Sequence, residues 1–351
     1  MSVRGSARPR RLAPSTRRRL AIFRAHRRGW WSAILFGALF AVCLCAELVA
    51  NDRPLAVSFE GHLLFPVVQN LSGDRFGPDF LPTEADYTDP DLLAAIRAHG
   101  WMLWPAIPFR YDTVIRDLPS PAPTPPSARN LLGTDDQARD VLARAIYGFR
   151  LSALFGLALT LLSSAVGILA GAVQGYYGGL VDLLFQRFIE VWSGMPRLYL
   201  LIILGAAVVP GFWVLLLFLL AFSWMELTGV VRAEFLRGRN LDYVRAVRAL
   251  GVRDAAIMAR HILPNALVST LSFLPFILSG SVTVLSSLDF LGFGLPPGSP
   301  SLGEMVAQGK NNLGAPWLAL TAFVVLGGIL VLLVFIGEAV RDAFDPRKMP
   351  T

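Results

Sequence analysis

Six long apolar runs constrain this chain more than any other feature. They cover 30–50, 151–174, about 191–210, 211–231, 266–293 and 317–338, and are written mostly in Leu, Val, Ala, Ile and Phe. A helix of about 20 such residues crosses a hydrocarbon core. The sequence therefore predicts an all-α polytopic membrane protein with six transmembrane helices. Composition agrees: 16% of the 351 residues are charged, against about 25% in a soluble domain.

Charge orients the spans. Residues 1–29 form a basic tail, with ten Arg and no acid before residue 29. Trp30 and Trp31 suit a membrane interface. The run at 30–50 is longer than a signal-peptide core, lacks a good cleavage site and is followed by further spans, so it reads as the first transmembrane helix. The segment between the fourth and fifth runs carries Arg232, Arg237, Arg239, Arg245, Arg248, Arg253 and Arg260 against three acids. Under the positive-inside rule this segment and both termini are cytoplasmic. Residues 51–130 then form a periplasmic insertion. Trp101, Trp104, Phe109 and Tyr111 suggest a small folded cap, and the Pro-rich stretch 118–129 suggests a stiff extended linker. Residues 131–338 make a core with five spans and a cytoplasmic loop at 234–264, and 339–351 a cytoplasmic tail. The net charge of +7 reads as topology, not nucleic-acid binding, because the Arg residues flank apolar spans. Cys43 and Cys45, inside the first run, read as buried free thiols.

The loop has its own design: YVRAVRALGVRDAAIMARHILPNAL, residues 243–267. Tyr243, Val247 and Leu250 share one helical face, and Arg245 and Arg248 lie off it. Gly251 suits a left-handed cap. Asp254 suits the start of a second helix, and Pro264 its end. Two short helices with a bend can press into a partner's groove or lie as a basic hairpin on anionic lipid. The residues alone leave both open.

Residues 243–264 resemble the cytoplasmic EAA loop of ABC-importer permeases, in which Glu-Ala-Ala is followed four residues later by Gly and then by Leu-Pro. Here Arg245-Ala246-Val247 precede Gly251 and Leu263-Pro264; Arg245 reverses the charge of the family's Glu. Residues 130–154 (NLLGTDDQARDVLARAIYGFRLSAL) are similar to the core entry of the C-type dipeptide and oligopeptide permeases, with Ala138 where Gly is usual. Thr134 and Gln137 there have capping-box spacing, with Asp135 and Asp136 in a first turn. Residues 285–304 (LSSLDFLGFGLPPGSPSLGE) resemble the outer end of that family's fifth span. With the long insertion, the resemblance is greatest to Yej-type permeases of oligopeptide and microcin C importers. It implies an ABC type I importer permease core in a bacterial inner membrane. It also implies a coupling loop of Tyr243, Arg245, Ala246, Val247, Gly251, Asp254, His261, Leu263 and Pro264. The implied partners are a second permease, ABC ATPase subunits, a periplasmic peptide-binding protein and membrane lipid, with ATP and magnesium held by the ATPase.

No catalytic, cofactor or metal site is expected in the chain itself. Gly309-Lys310-Asn311 fails as a P-loop, because Ser or Thr must follow the Lys. The acids at 135, 136 and 140 read as helix caps, and His26, His62, His99 and His261 are scattered. Glu226, toward the inner end of the fourth run, and Asp289, toward the outer end of the fifth, read as side chains reaching the interface. The hydroxyls of the fifth run (Ser272, Ser279, Ser281, Thr283, Ser286, Ser287) suit a polar pathway or close helix packing equally. A secondary transporter predicts an inverted repeat and central acids, and the runs suggest neither. A membrane-anchored binding protein would make the later spans dispensable.

Overall fold

The computed structural model describes residues 14–77, 80–208 and 210–345. The arginines before residue 14, and Arg347 and Lys348, lie outside the described residues. The chain opens with α1 (Pro14–Ala25), α2 (Arg27–Leu44) and α3 (Ala46–Val49). The insertion follows with β1 (Ala56–Phe59), β2 (His62–Leu64), α4 (Pro90–His99) and β3 (Gly100–Leu103). The core contains α5 (Val141–Tyr177), α6 (Gly179–Ser193), α7 (Arg197–Ala207), α8 (Phe212–Ser223) and α9 (Met225–Gly238). It continues through α10 (Asp242–Ala249), α11 (Asp254–Ile257), a π turn (Met258–Ile262), α12 (Leu263–Leu271), α13 (Leu274–Phe290), α14 (Leu302–Asn311) and α15 (Pro316–Phe344).

Among the described residues, α5, the α8–α9 run Phe212–Gly238 and α15 are each long and apolar enough to cross a membrane. Two bent pairs bring the number to as many as five: α6 with α7, bent by 66°, and α11–α12 with α13, bent by 56°. Gly194 and Pro196 sit in the first break, and Pro275 opens the helix after the second, where the missing N–H and fixed φ disfavour a continuous helix. The first apolar run forms α2 and α3, which part at Cys45. α2 begins on Arg27 and Arg28 and falls outside the spans counted. Cys43 is buried, but Cys45 is exposed, contrary to the reading of both as buried.

Among the described residues, α5 and α9 pack against each other most extensively. Gly167, Gly171 and Gly175 recur every fourth residue on α5. A Cβ on each would lie 2.5 Å from the Trp224 carbonyl oxygen, 2.6 Å from that of Thr228 and 2.5 Å from that of Arg232, respectively. Small residues at this spacing let two backbones touch in lipid, where van der Waals packing substitutes for the hydrophobic effect.

α5 begins at Val141, later than the capping-box spacing suggests. Asp140 is its N-cap, accepting the Ala143 N–H at 2.8 Å and the Asn130 amide at 2.8 Å. Thr134 instead accepts from the Thr124 N–H at 2.8 Å and returns its own N–H to the Thr124 carbonyl. The Pro-rich stretch is thus strapped to the core. Asp135 is fully buried and bonded to the Arg139 guanidinium at 2.7 Å, beside Arg144 at 3.5 Å. Glu304 of α14 completes the network at 3.0 Å from Arg144. A buried carboxylate needs such partners, so Asp135 Oδ2 ties α5 to α14, while its Oδ1 accepts the Gln137 and Arg139 N–H groups at 2.9 Å and caps the 136–139 turn, not the start of α5. Asp289 likewise turns inward, accepting the Leu295 N–H at 2.8 Å and the Ser301 hydroxyl at 2.5 Å. It fixes the turn after α13.

The insertion folds as a three-stranded antiparallel sheet, order β2-β1-β3, with α4 against it. Glu60 and Gly61 both have positive φ, 48° and 82°, the two-residue turn that matches strand twist. Val57, Phe59, Phe76, Tyr87, Leu92 and Ile96 make its core. Trp104 packs on that core and Trp101 is exposed. Phe109 belongs with Ile107 and Ile115 to a second cluster that also holds Ala50, Ala143 and Tyr147, fastening the insertion to the start of α5.

Candidate coupling surface

α5 has 37 residues, about 55 Å at 1.5 Å per residue. The insertion sits at its first turns and the 239–264 loop at its last, so the two lie at opposite ends of the bundle. The chain enters the loop as α9 stops at Gly238, where a Cβ would meet Ile262 at 2.8 Å. Arg239 turns back and donates to the Tyr176 carbonyl at 3.1 Å. α10 then runs across the end of the bundle, seated by Val244, which is fully buried with Phe235, Ile257, Ile262 and Ala266.

The bend after α10 has a defined form. The Val252 N–H donates to the Val247 carbonyl at 3.4 Å and the Gly251 N–H to that of Arg248 at 3.0 Å, with Gly251 at φ 80°. This is a Schellman ending, in which a left-handed residue without Cβ satisfies the last carbonyls. The second helix opens at Asp254, whose carboxylate accepts the Tyr176 hydroxyl. Arg248 lies over the Tyr176 ring, 5.1 Å from its centre, and its bond with that hydroxyl holds its pKa above the ordinary value. Both arms of the loop therefore meet at one α5 residue.

The loop arginines fall into two groups. Arg232 pairs with Asp182 of α6 at 2.5 and 2.6 Å, and Arg239 and Arg248 bond to Tyr176, so three of the seven hold the fold. Arg237, Arg245, Arg253 and Arg260 are exposed. Between them Leu250 protrudes at 82% exposure, with Tyr243 and Val252 also open. The result is an apolar tip in a basic collar, on a backbone fixed from behind.

The predicted residues meet here. Of the face Tyr243, Val247 and Leu250, Val247 is half-buried while Tyr243 and Leu250 are exposed; Val244, off that face, seats the helix. Tyr243 donates to the His261 carbonyl at 3.2 Å and accepts from the Asn265 amide at 3.3 Å, cross-bracing the two arms. Pro264 does not close the helix: it is the second residue of α12, directly after the π turn. A π turn shifts the hydrogen-bond register and accommodates the missing N–H. Ala246 and Arg245 are exposed on the outer face of α10, His261 is half-buried, and Leu263 packs on the buried cluster. The hydroxyls of α13 divide: Ser281 and Ser286 are buried, while Thr283 and Ser287 face outward. Glu226 is exposed near the midpoint of Phe212–Gly238. Tyr176, Arg239 and Val244 were not indicated by the loop's own sequence. The four-residue glycine spacing of α5 was a usable signal for the helix pair behind them.

Residues 163–350, which include this whole loop, match the family described as binding-protein-dependent transport system inner membrane component. The chain belongs to that family. It is 58% identical over 338 residues to the inner membrane ABC transporter permease protein YejE of Escherichia coli K12, covering 96% of this chain and 99% of that one. It is 56% identical over 360 residues to the peptidoglycan transport system permease protein YejE of Agrobacterium fabrum C58, covering 96% and 94%. Similarity to the oligopeptide transport system permease protein OppC of Lactococcus lactis IL1403 is 35% over 224 residues, covering 62% and 76%. This transport component is thus a multi-pass inner-membrane protein of the ABC permease class. Its 51–130 insertion lies outside the family match.

Proposed function

We infer that the chain is one permease subunit of an ATP-driven peptide importer, and that the 243–264 loop couples it to a separate ATPase. The observation that carries this reading is the exposed Leu250 tip on a loop braced to α5 and α9. A surface hairpin on lipid needs no such bracing. A docking element does, because a push on the tip must reach the spanning helices. ATP binding closes the ATPase, the tip moves with it, and the α5–α9 pair shifts the pathway between outward and inward access. Differential contact in the two states drives that shift. The relatives named for oligopeptide and for peptidoglycan transport support peptides as cargo, and we extend that class to peptide-nucleotide antibiotics such as microcin C.

In this reading α2 with α3 makes a sixth crossing, both termini are cytoplasmic, and the insertion is periplasmic. A second permease, the ATPase and a periplasmic binding protein complete the transporter. ATP and magnesium reside in the ATPase. Exposed Glu226 favours one competing reading, a secondary transporter driven by an ion gradient. Proteoliposomes holding the purified complex separate the two. ATP-dependent peptide uptake, abolished when the ATPase is omitted, supports the importer; uptake driven by a proton or sodium gradient alone overturns it.

A further inference from the structure

The insertion carries ten acids against six arginines, a net charge of −4 in a chain whose total is +7. The excess acid gathers at a cleft of about 880 Å³ between the start of α4 and residues 104–117. A volume of this size suits a small ligand, since such sites run to about 300–1,000 Å³. Four carboxylates line it: Asp52, Asp86, Asp89 and Asp117. Asp117 is matched by Arg129 at 2.5 Å. The other three make no close ion pair among the described residues, although Arg110 lies near enough to Asp52 for the charges to interact; Arg116 is the other cation on the lining.

Each of the three uses one oxygen to hold the fold. Asp86 Oδ1 accepts from the Thr88 N–H and hydroxyl, Asp89 Oδ1 from the Asp91 N–H, and Asp52 Oδ2 from Thr113. The second oxygen of each has no hydrogen-bond donor among the described residues. Tyr87 also lines the cleft, is 4% exposed, and its hydroxyl has no hydrogen-bond partner among the described residues. A buried hydroxyl left unbonded costs about 1–3 kcal/mol, which a ligand group can recover. Burial pushes that hydroxyl up to about 12, so it remains a donor. Leu93, Trp104 and Phe109 supply an apolar wall.

We propose that this cleft binds the free amino-terminal end of a peptide, giving the permease a peptide site of its own at the end of α5 opposite the coupling loop. An ammonium offers three donors and no acceptor, the complement of three half-used carboxylates. The Tyr87 hydroxyl, just beneath the cleft wall, is reached by the first carbonyl once the wall yields, and the Leu93–Trp104–Phe109 wall takes the first side chain. The choice of a peptide rests on the importer reading above; the charge and geometry of the cleft do not.

The test uses the full chain in nanodiscs and a random tripeptide pool, unmodified or N-acetylated, with retained peptides measured by mass spectrometry. Free peptides should be retained at least about tenfold over acetylated ones, the scale of one lost charge contact. Asp86→Asn with Asp89→Asn keeps the oxygens that hold the fold and should bring free peptides down to the acetylated level. Glu60→Gln, on the hairpin turn, should change nothing. No retention above empty nanodiscs, equal retention of both pools, or full retention by the double variant overturns the proposal. ATP-dependent uptake of the same pool by the complete transporter is measured in parallel. Uptake without retention sinks the cleft and leaves the importer standing, and absence of uptake sinks the importer.

Discussion

Arg245 and Tyr176 act on opposite sides of the same loop. Arg245 is exposed on α10, where the resemblance to EAA loops implies Glu, and its side chain has no partner among the described residues. In the proposed docking Arg245 faces the ATPase, whose cleft should then present an acid. Arg245→Glu is expected to reduce ATPase retention about tenfold, recovered by an acid-to-Lys change in that cleft. Co-purified ATPase per permease measures it, and unchanged retention would remove the charge argument. Tyr176 lies behind the loop. Tyr176→Phe keeps the ring under Arg248 but removes the hydroxyl that bonds Arg248 and donates to Asp254, the latter a bond of about 1.5–3 kcal/mol because its acceptor is charged. The ATPase should still bind, while peptide moved per ATP hydrolysed falls. A fall in both together would mean that Tyr176 merely folds the loop.

At the scale of elements, the α5–α9 pair is the part through which motion must travel. Gly171→Leu places a branched side chain where a Cβ already meets a carbonyl oxygen at 2.6 Å. Overpacking of this kind costs about 1–3 kcal/mol or more, so the purified protein should melt several degrees lower. Gly229→Leu, on α9 with open space at its Cβ, should not. The N-terminus of α5 offers a pH test. Burial raises the Asp140 pKa from its ordinary 3.8. A raised folded pKa means that its contribution is fully present below pH 3.8 and is lost as pH rises through the folded value. Asn caps about as well as Asp, so Asp140→Asn should gain on wild type in melting temperature as pH increases from about 4. A difference independent of pH would contradict this.

These same elements show what sequence pattern conveys. The long apolar helices and the Gly251 bend were legible because periodicity and a left-handed glycine act within a few residues. The start of α5 was not: Thr134 and Asp135 find partners in Thr124, Arg139 and Arg144, so tertiary contacts override a good local cap. Pro264 was misread for a related reason, since the π turn before it reshapes the backbone. The insertion's sheet was hidden because β3 returns to β1 only after α4.

For the whole molecule, one long helix joins two ends with different tasks. The first turns of α5 carry an acidic folded insertion, the last carry a basic, braced loop, and the glycine ridge locks α9 alongside. A transporter needs such a rod, because events at an ATPase must be felt at a distant gate. The most direct test places a photocross-linking amino acid at Leu250 in cells producing the complete transporter. The account predicts a covalent adduct with the ATPase that strengthens or weakens with ATP. Leu250 adducts with lipid alone, or an unchanged ATPase yield when Gly251→Pro destroys the bend, would contradict it.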